Sequence, residues 1–75
     1  MANELGGASV LYTATNGARY EIDAIPDPNG DRFGYEYRAP DGETTYRRAG
    51  YPYRTALESI DAAIDAVEFM VRPIE

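Results

Sequence analysis

Residues 55–71 read as one amphipathic helix and everything before them reads as strands, so the chain is confined to folds that lay a single helix on a sheet. Thr55, Ala56, Leu57 and Glu58 spell a capping box, in which the Thr hydroxyl accepts from an early helical N–H and the Glu carboxylate reaches back. Leu57, Ile60, Ile64, Val67 and Val71 then recur at steps of three and four. At 3.6 residues per turn they share one stripe, with Ala56, Ala63 and Met70 along its edge. Pro73 has no N–H to donate and disfavours helical geometry at Arg72, so the helix is expected to stop there or just before.

The stripe needs a partner surface, and two hairpins are expected to supply it. Residues 9–15 and 18–25 flank Asn16-Gly17, the dipeptide that favours a two-residue type I′ turn. With that loop Thr13 opposes Tyr20, Leu11 opposes Ile22 and Ser9 opposes Ala24 toward the helix, while Val10, Tyr12 and Ala14 face away. Residues 26–31 hold two prolines, an Asn and a Gly, which demands a loop. Residues 32–39 alternate, with Phe33, Tyr35, Tyr37 and Ala39 on one side. Asp41-Gly42 marks a second tight turn into 43–49, so that Tyr37 opposes Tyr46, Ala39 opposes Thr44 and Tyr35 opposes Arg48. Tyr51 and Tyr53 bracket Pro52 in the crossing to the helix and are expected to pack over the sheet edge. The expected fold is α+β: a loose, disordered tail over 1–8, then one ββββα domain over 9–75, a four-stranded antiparallel meander with the C-terminal helix on one face.

Composition narrows what such a domain can do. At 75 residues it is near the size at which one core only just outweighs chain entropy, hiding about 60% of its unfolded surface. A second subunit is the expected staple, because there is no cysteine for disulfides and no cysteine or histidine for the usual zinc sets. The absence of cysteine, of a basic-then-apolar start and of any membrane-length apolar run points to a soluble, cytoplasmic chain. Thirteen acidic residues against seven basic ones give a net charge of −6, which opposes duplex DNA and anionic membranes as partners. All seven basic residues are Arg, for which we have no physical account.

The run Tyr20-Glu21-Ile22, then Asn29-Gly30-Asp31-Arg32-Phe33-Gly34-Tyr35, then Asp41-Gly42, then Gly50-Tyr51 with Ala56 and Ile60, resembles the small bacterial YegP-like domains. Those domains likewise place strands, an Asn-Gly or Asp-Gly turn and a Gly-Tyr junction before a helix, and the resemblance implies that fold and little about activity. Residues 56–67 are also similar to the Ala-rich acidic helix that follows the strands of the antitoxin HicB, which implies toxin binding.

Four groups of residues are candidates for function. Glu58, Asp61, Asp65 and Glu68 line one side of the helix and form either its solvated flank or a ridge that mimics a row of phosphates. Phe69, with Ala62 and Ala66 on its side, falls opposite the apolar stripe and is expected to be an exposed contact for a second copy or another protein; Tyr12 and Val10 offer a second contact on the outer sheet face. Tyr35, Tyr37 and Tyr46 with Arg38, Arg47 and Arg48 could stack single-stranded bases, but the helix is expected to cover these rings as core, because Gly34, Glu36 and Arg38 on the opposite face cannot seal Leu57, Ile60 and Ile64. Asp27, Asn29 and Asp31 offer alternating oxygens, yet Pro28 intrudes, Gly30 is misplaced and Arg38 stands where a calcium loop needs Glu. No metal or cofactor is expected.

Catalysis has little to work with. Ser9 and Ser59 lack a His or Cys partner, and so short a chain cannot enclose a substrate between paired carboxylates. The expectation is a small non-enzymatic protein-interaction module that self-associates, a homodimer or an accessory to another protein. Its alternatives are an acidic nucleic-acid mimic and a single-strand binder acting through the sheet tyrosines.

Overall fold

Four antiparallel strands run in sequence order across one sheet, β1 (Ala8–Thr13), β2 (Arg19–Pro26), β3 (Phe33–Arg38) and β4 (Thr45–Arg47), and one helix, α1 (Ala56–Val71), packs on one face. This is the expected α+β meander. The structure is a computed structural model and describes residues 8–71. Ala8, expected in the tail, opens β1, and Pro26, expected to open a loop, closes β2 opposite Phe33. The rest of the tail and the Pro73 stop lie outside the described residues.

The first turn reverses the expected orientation of β1. Gly17 N–H donates to the Ala14 carbonyl at 2.9 Å and Ala14 N–H to the Ala18 carbonyl at 2.8 Å, which encloses three loop residues, Thr15, Asn16 and Gly17. A two-residue type I′ loop needs positive φ at both Asn16 and Gly17; the three-residue form needs it only at the glycine, whose φ is +88°. Asn16 instead uses its side chain to accept the Ala18 N–H at 3.0 Å. One added loop residue shifts the register by one and turns over every side chain on the strand. Val10 therefore opposes Ile22 and Tyr12 opposes Tyr20 toward the helix, while Ser9, Leu11 and Thr13 face away. The expected outward positions of Val10, Tyr12 and Ala14 are corrected accordingly: Ala14 is buried and Tyr12 half-buried.

The second turn keeps its expected register. Ala39 N–H donates to the Thr44 carbonyl at 2.8 Å and Gly42 N–H to the Ala39 carbonyl at 3.0 Å, enclosing residues 40–43. A four-residue loop centred on the same point as the two-residue one preserves the pairing, so Tyr37 opposes Tyr46. Asp41 holds this loop closed by accepting from the Glu43 N–H at 2.8 Å, the Thr44 N–H at 2.9 Å and the Thr44 hydroxyl at 3.0 Å. Those bonds, the Thr44 N–H foremost, hold its carboxyl below the usual carboxylate range.

The core joins large residues on the sheet to small ones on the helix. Tyr20, Ile22, Ala24, Tyr35 and Tyr37 are buried against Ser59, Ile60, Ala63 and Val67. Fully burying Ile22 or Val67 is worth about 1.5–3 kcal/mol each. The helix is rotated by roughly 60° from the expected stripe, at 100° per residue, because bulky tyrosine rings leave room for Ala and Ser rather than for a line of branched residues. Leu57, expected inside, is 68% exposed. Ser59, which the helical periodicity does not mark as a core position, is fully buried and donates its hydroxyl to the Ala56 carbonyl at 2.7 Å.

The crossing into the helix runs back along β3. Arg48 N–H donates to the Tyr35 carbonyl at 3.0 Å, the chain bulges at Gly50, and Phe33 and Tyr53 then exchange two backbone hydrogen bonds of 2.7 and 3.0 Å. A Cβ on Gly34 would stand 2.7 Å from the Gly50 carbonyl oxygen, with the Tyr51 ring at 3.4 Å, so this approach requires glycine. Gly34→Ala is expected to lower stability by about 1–3 kcal/mol, read as a lower urea midpoint with an unchanged m-value. An unchanged midpoint would mean that the crossing does not rest against β3.

Candidate functional site

The helix begins with the expected cap, and the cap consumes one of the candidate acids. Glu58 N–H donates to the Thr55 hydroxyl at 3.0 Å, while the Glu58 carboxylate accepts from the Arg54 N–H at 3.1 Å. About 15 Å up the helix, by its 1.5 Å rise per residue, Glu68 ties the last turns to the tip of the first hairpin. Its carboxylate accepts from the Tyr12 hydroxyl, from the Thr15 hydroxyl at 2.7 Å and from the Thr15 N–H at 3.1 Å. Of the four candidate acids, Asp61 and Asp65 are exposed, whereas Glu58 and Glu68 also serve the fold through the bonds above.

Phe69 is where the periodicity places it, 79% exposed on the side of α1 away from the sheet. Ala62 and Ala66 lie on the same side but are half-buried, resting against the core rather than standing clear of it. Tyr12 does not join this surface or an outer-face one, because the register turns it toward the helix.

The helix covers β2 and β3 and leaves the inner face of β4 partly open. Tyr46, expected in the core, is 47% exposed. It leans on Tyr37 with ring centroids 5.3 Å apart, and Met70, 48% exposed, receives the Tyr37 hydroxyl at 3.8 Å from its sulfur. Tyr35 and Tyr37 are buried beneath α1 and stack at 6.3 Å; Tyr53 continues the stack at 6.1 Å from Tyr35. Each such ring pair adds about 0.5–1.5 kcal/mol beyond its buried area.

The arginines expected beside these rings divide between the two faces. Arg48 lies 5.7 Å over the Tyr53 ring. Arg38 and Arg47 lie on the opposite face with Glu21 and Glu36, at 3.0 Å for Arg38–Glu21 and 3.1 Å for Arg47–Glu36. These exposed pairs are worth about 0–1 kcal/mol each. The same outer face holds a shallow open depression of about 560 Å³ between Leu11, Arg19, Glu21, Arg38, Pro40 and Thr45, which sequence patterning does not reveal because the β3–β4 loop forms one wall.

In the loop between β2 and β3 the Asp27 carboxylate accepts from the Asn29 N–H at 2.9 Å, the side-chain-to-backbone bond of an ordinary Asx turn. Among the described residues no three carboxylates gather where a metal ion could sit, and no helix is long and apolar enough to cross a membrane. No family model, curated protein or solved structure matches this chain.

The Tyr12–Glu68 bond makes stability pH-dependent. The bond itself, then burial and the Glu68 and Asp65 charges, raises the Tyr12 hydroxyl above its ordinary value of 10.0. Burial pushes the Tyr35 and Tyr37 hydroxyls up as well. A group raised on folding stabilises the folded state fully below its unfolded value and loses that contribution as pH rises through the folded one. Urea unfolding of Tyr12→Phe is therefore expected to show lower stability than the parent at pH 7 and a difference that shrinks as the pH climbs above about 10. A difference that stays constant to alkaline pH would remove the bond from the account.

Proposed function

We propose that this chain is a small non-enzymatic protein-interaction module that contacts another protein through the outer side of α1, with Phe69 as the anchor. The carrying observation is the exposure of that ring in a row with Ala62 and Ala66, whose small side chains leave flat surface around it. Fully burying a Phe is worth about 1.5–3 kcal/mol, and aromatic anchors at the centre of a patch carry much of the energy of an interface. Asp61 and Asp65 on the same exposed part of the helix favour an apolar socket with a basic rim. The HicB-like resemblance of residues 56–67 points the same way, toward a helix that binds protein.

Phosphate mimicry by Glu58, Asp61, Asp65 and Glu68 draws less support, since two of the four carboxylates are engaged within the chain. Single-strand binding draws less again, because two of its three rings lie under the helix. The test is recovery of partners from the host on immobilised wild-type and Phe69→Asp protein, at about 0.05 and 0.5 M salt. The expected result is a protein retained by the wild type at both salts and recovered at least tenfold less on Phe69→Asp. Equal recovery on both proteins, or loss from the wild type at the higher salt, would contradict the proposal.

A further inference from the structure

The two edges of the sheet are built differently. β4 is only three residues long, carries Arg47 and leads into a bulge at Gly50, φ +80°, and a proline at 52, which are the usual protections of an edge against pairing. β1, the other edge, has six residues, Ala-Ser-Val-Leu-Tyr-Thr, with no charge, proline or glycine.

The hydrogen-bonding phase of that edge follows from the first turn. Ala14 and Ala18 form a bonded pair, and bonding alternates along an antiparallel ladder, so Tyr12, Val10 and Ala8 spend their backbone groups on β2. The N–H and C=O of Ser9, Leu11 and Thr13 therefore point away from the sheet. Leu11 lies at the middle of this row and its side chain is 70% exposed.

We infer that β1 pairs antiparallel with β1 of a second copy about a two-fold axis through Leu11, giving a continuous eight-stranded sheet. Leu11 then faces the second copy's Leu11 and Ser9 faces its Thr13, which satisfies the outward backbone groups in about six inter-strand hydrogen bonds. On the helix side Val10 comes opposite the second copy's Tyr12, an aromatic–β-branched pair.

Charge agrees with this register. Asp23 opposes Ser9 and Arg19 opposes Thr13, so each Asp23 shares a row with the second copy's Arg19, about three strand spacings or 14 Å apart between backbones, with only small side chains between them. The like-charged Glu21 residues that share the Leu11 row are each neutralised by Arg38 at 3.0 Å. The inference rests on the reading of the chain as an interaction module, and it uses an edge separate from the Phe69 surface, so each dimer presents two copies of that ring.

The test uses sedimentation equilibrium of the full chain together with cysteine cross-linking, for which the absence of native cysteine leaves a clean background. The parent is expected to approach twice its 8.3 kDa mass as concentration rises. Leu11→Lys, at an exposed position, is expected to keep its circular dichroism and weaken association at least tenfold, while Phe69→Asp leaves association unchanged.

In a glutathione redox buffer, Leu11→Cys is expected to form a disulfide-linked dimer at least tenfold faster than Phe69→Cys, since a directly opposed pair has Cα atoms about 5.5 Å apart. Ser9→Cys and Thr13→Cys should cross-link when mixed and not when alone. A parent that stays monomeric at millimolar concentration, or association lost with Phe69→Asp and kept with Leu11→Lys, would overturn the inference. The latter result would leave the Phe69 surface standing.

Discussion

The length of the first turn governs more of this molecule than any single packing contact. Because Gly17 alone takes the left-handed φ, the loop holds three residues, and an odd loop fixes which set of β1 side chains meets the helix. Three consequences follow from that one parity. Ala14 enters the core, Tyr12 reaches Glu68 so that the hairpin tip and the last helical turns hold each other, and Leu11 is left on the outer face at the centre of an unprotected edge.

Size complementarity then sets the helix. A sheet face filled with Tyr20, Tyr35 and Tyr37 already carries most of the core volume, and what fits over it is the Ser59, Ala63 and Val67 side of α1. The branched residues of the apparent stripe move to the flank, Leu57 into water and Ile64 to partial burial. A single sixteen-residue helix cannot roof all four strands, so it covers the central pair and leaves Tyr46 at the margin. Among the described residues no layer covers its opposite side, and there Phe69, 79% exposed, faces water.

Alternation, turn residues and the capping box made the element order and the fold class legible, because each depends on local chemistry. The second hairpin was readable in register for a fortuitous reason: loops of two and four residues centred on the same point pair the same residues. The first was not, since Asn-Gly is compatible with both a two-residue and a three-residue loop, and the choice shifts the pairing by one. Helix rotation was illegible because a periodicity count weighs Leu57 as more buried than Ser59, whereas packing against tyrosines favours the smaller residue. At the candidate surfaces, Phe69 was visible from spacing alone, while the engagement of Glu68 by Tyr12 and Thr15 joins residues more than fifty positions apart and needed the tertiary fold.

The placements of Ala14, Tyr12 and Leu11 all descend from the pairing of β1 with β2, which nuclear Overhauser contacts between α-protons read directly. Non-bonded antiparallel pairs bring their Cα atoms to about 4.5 Å and give strong Hα–Hα cross-peaks. Cross-peaks between Leu11 and Glu21 and between Ser9 and Asp23 are the expected result. Cross-peaks between Tyr12 and Glu21 and between Val10 and Asp23 in their place would put Leu11 back under the helix and contradict the account.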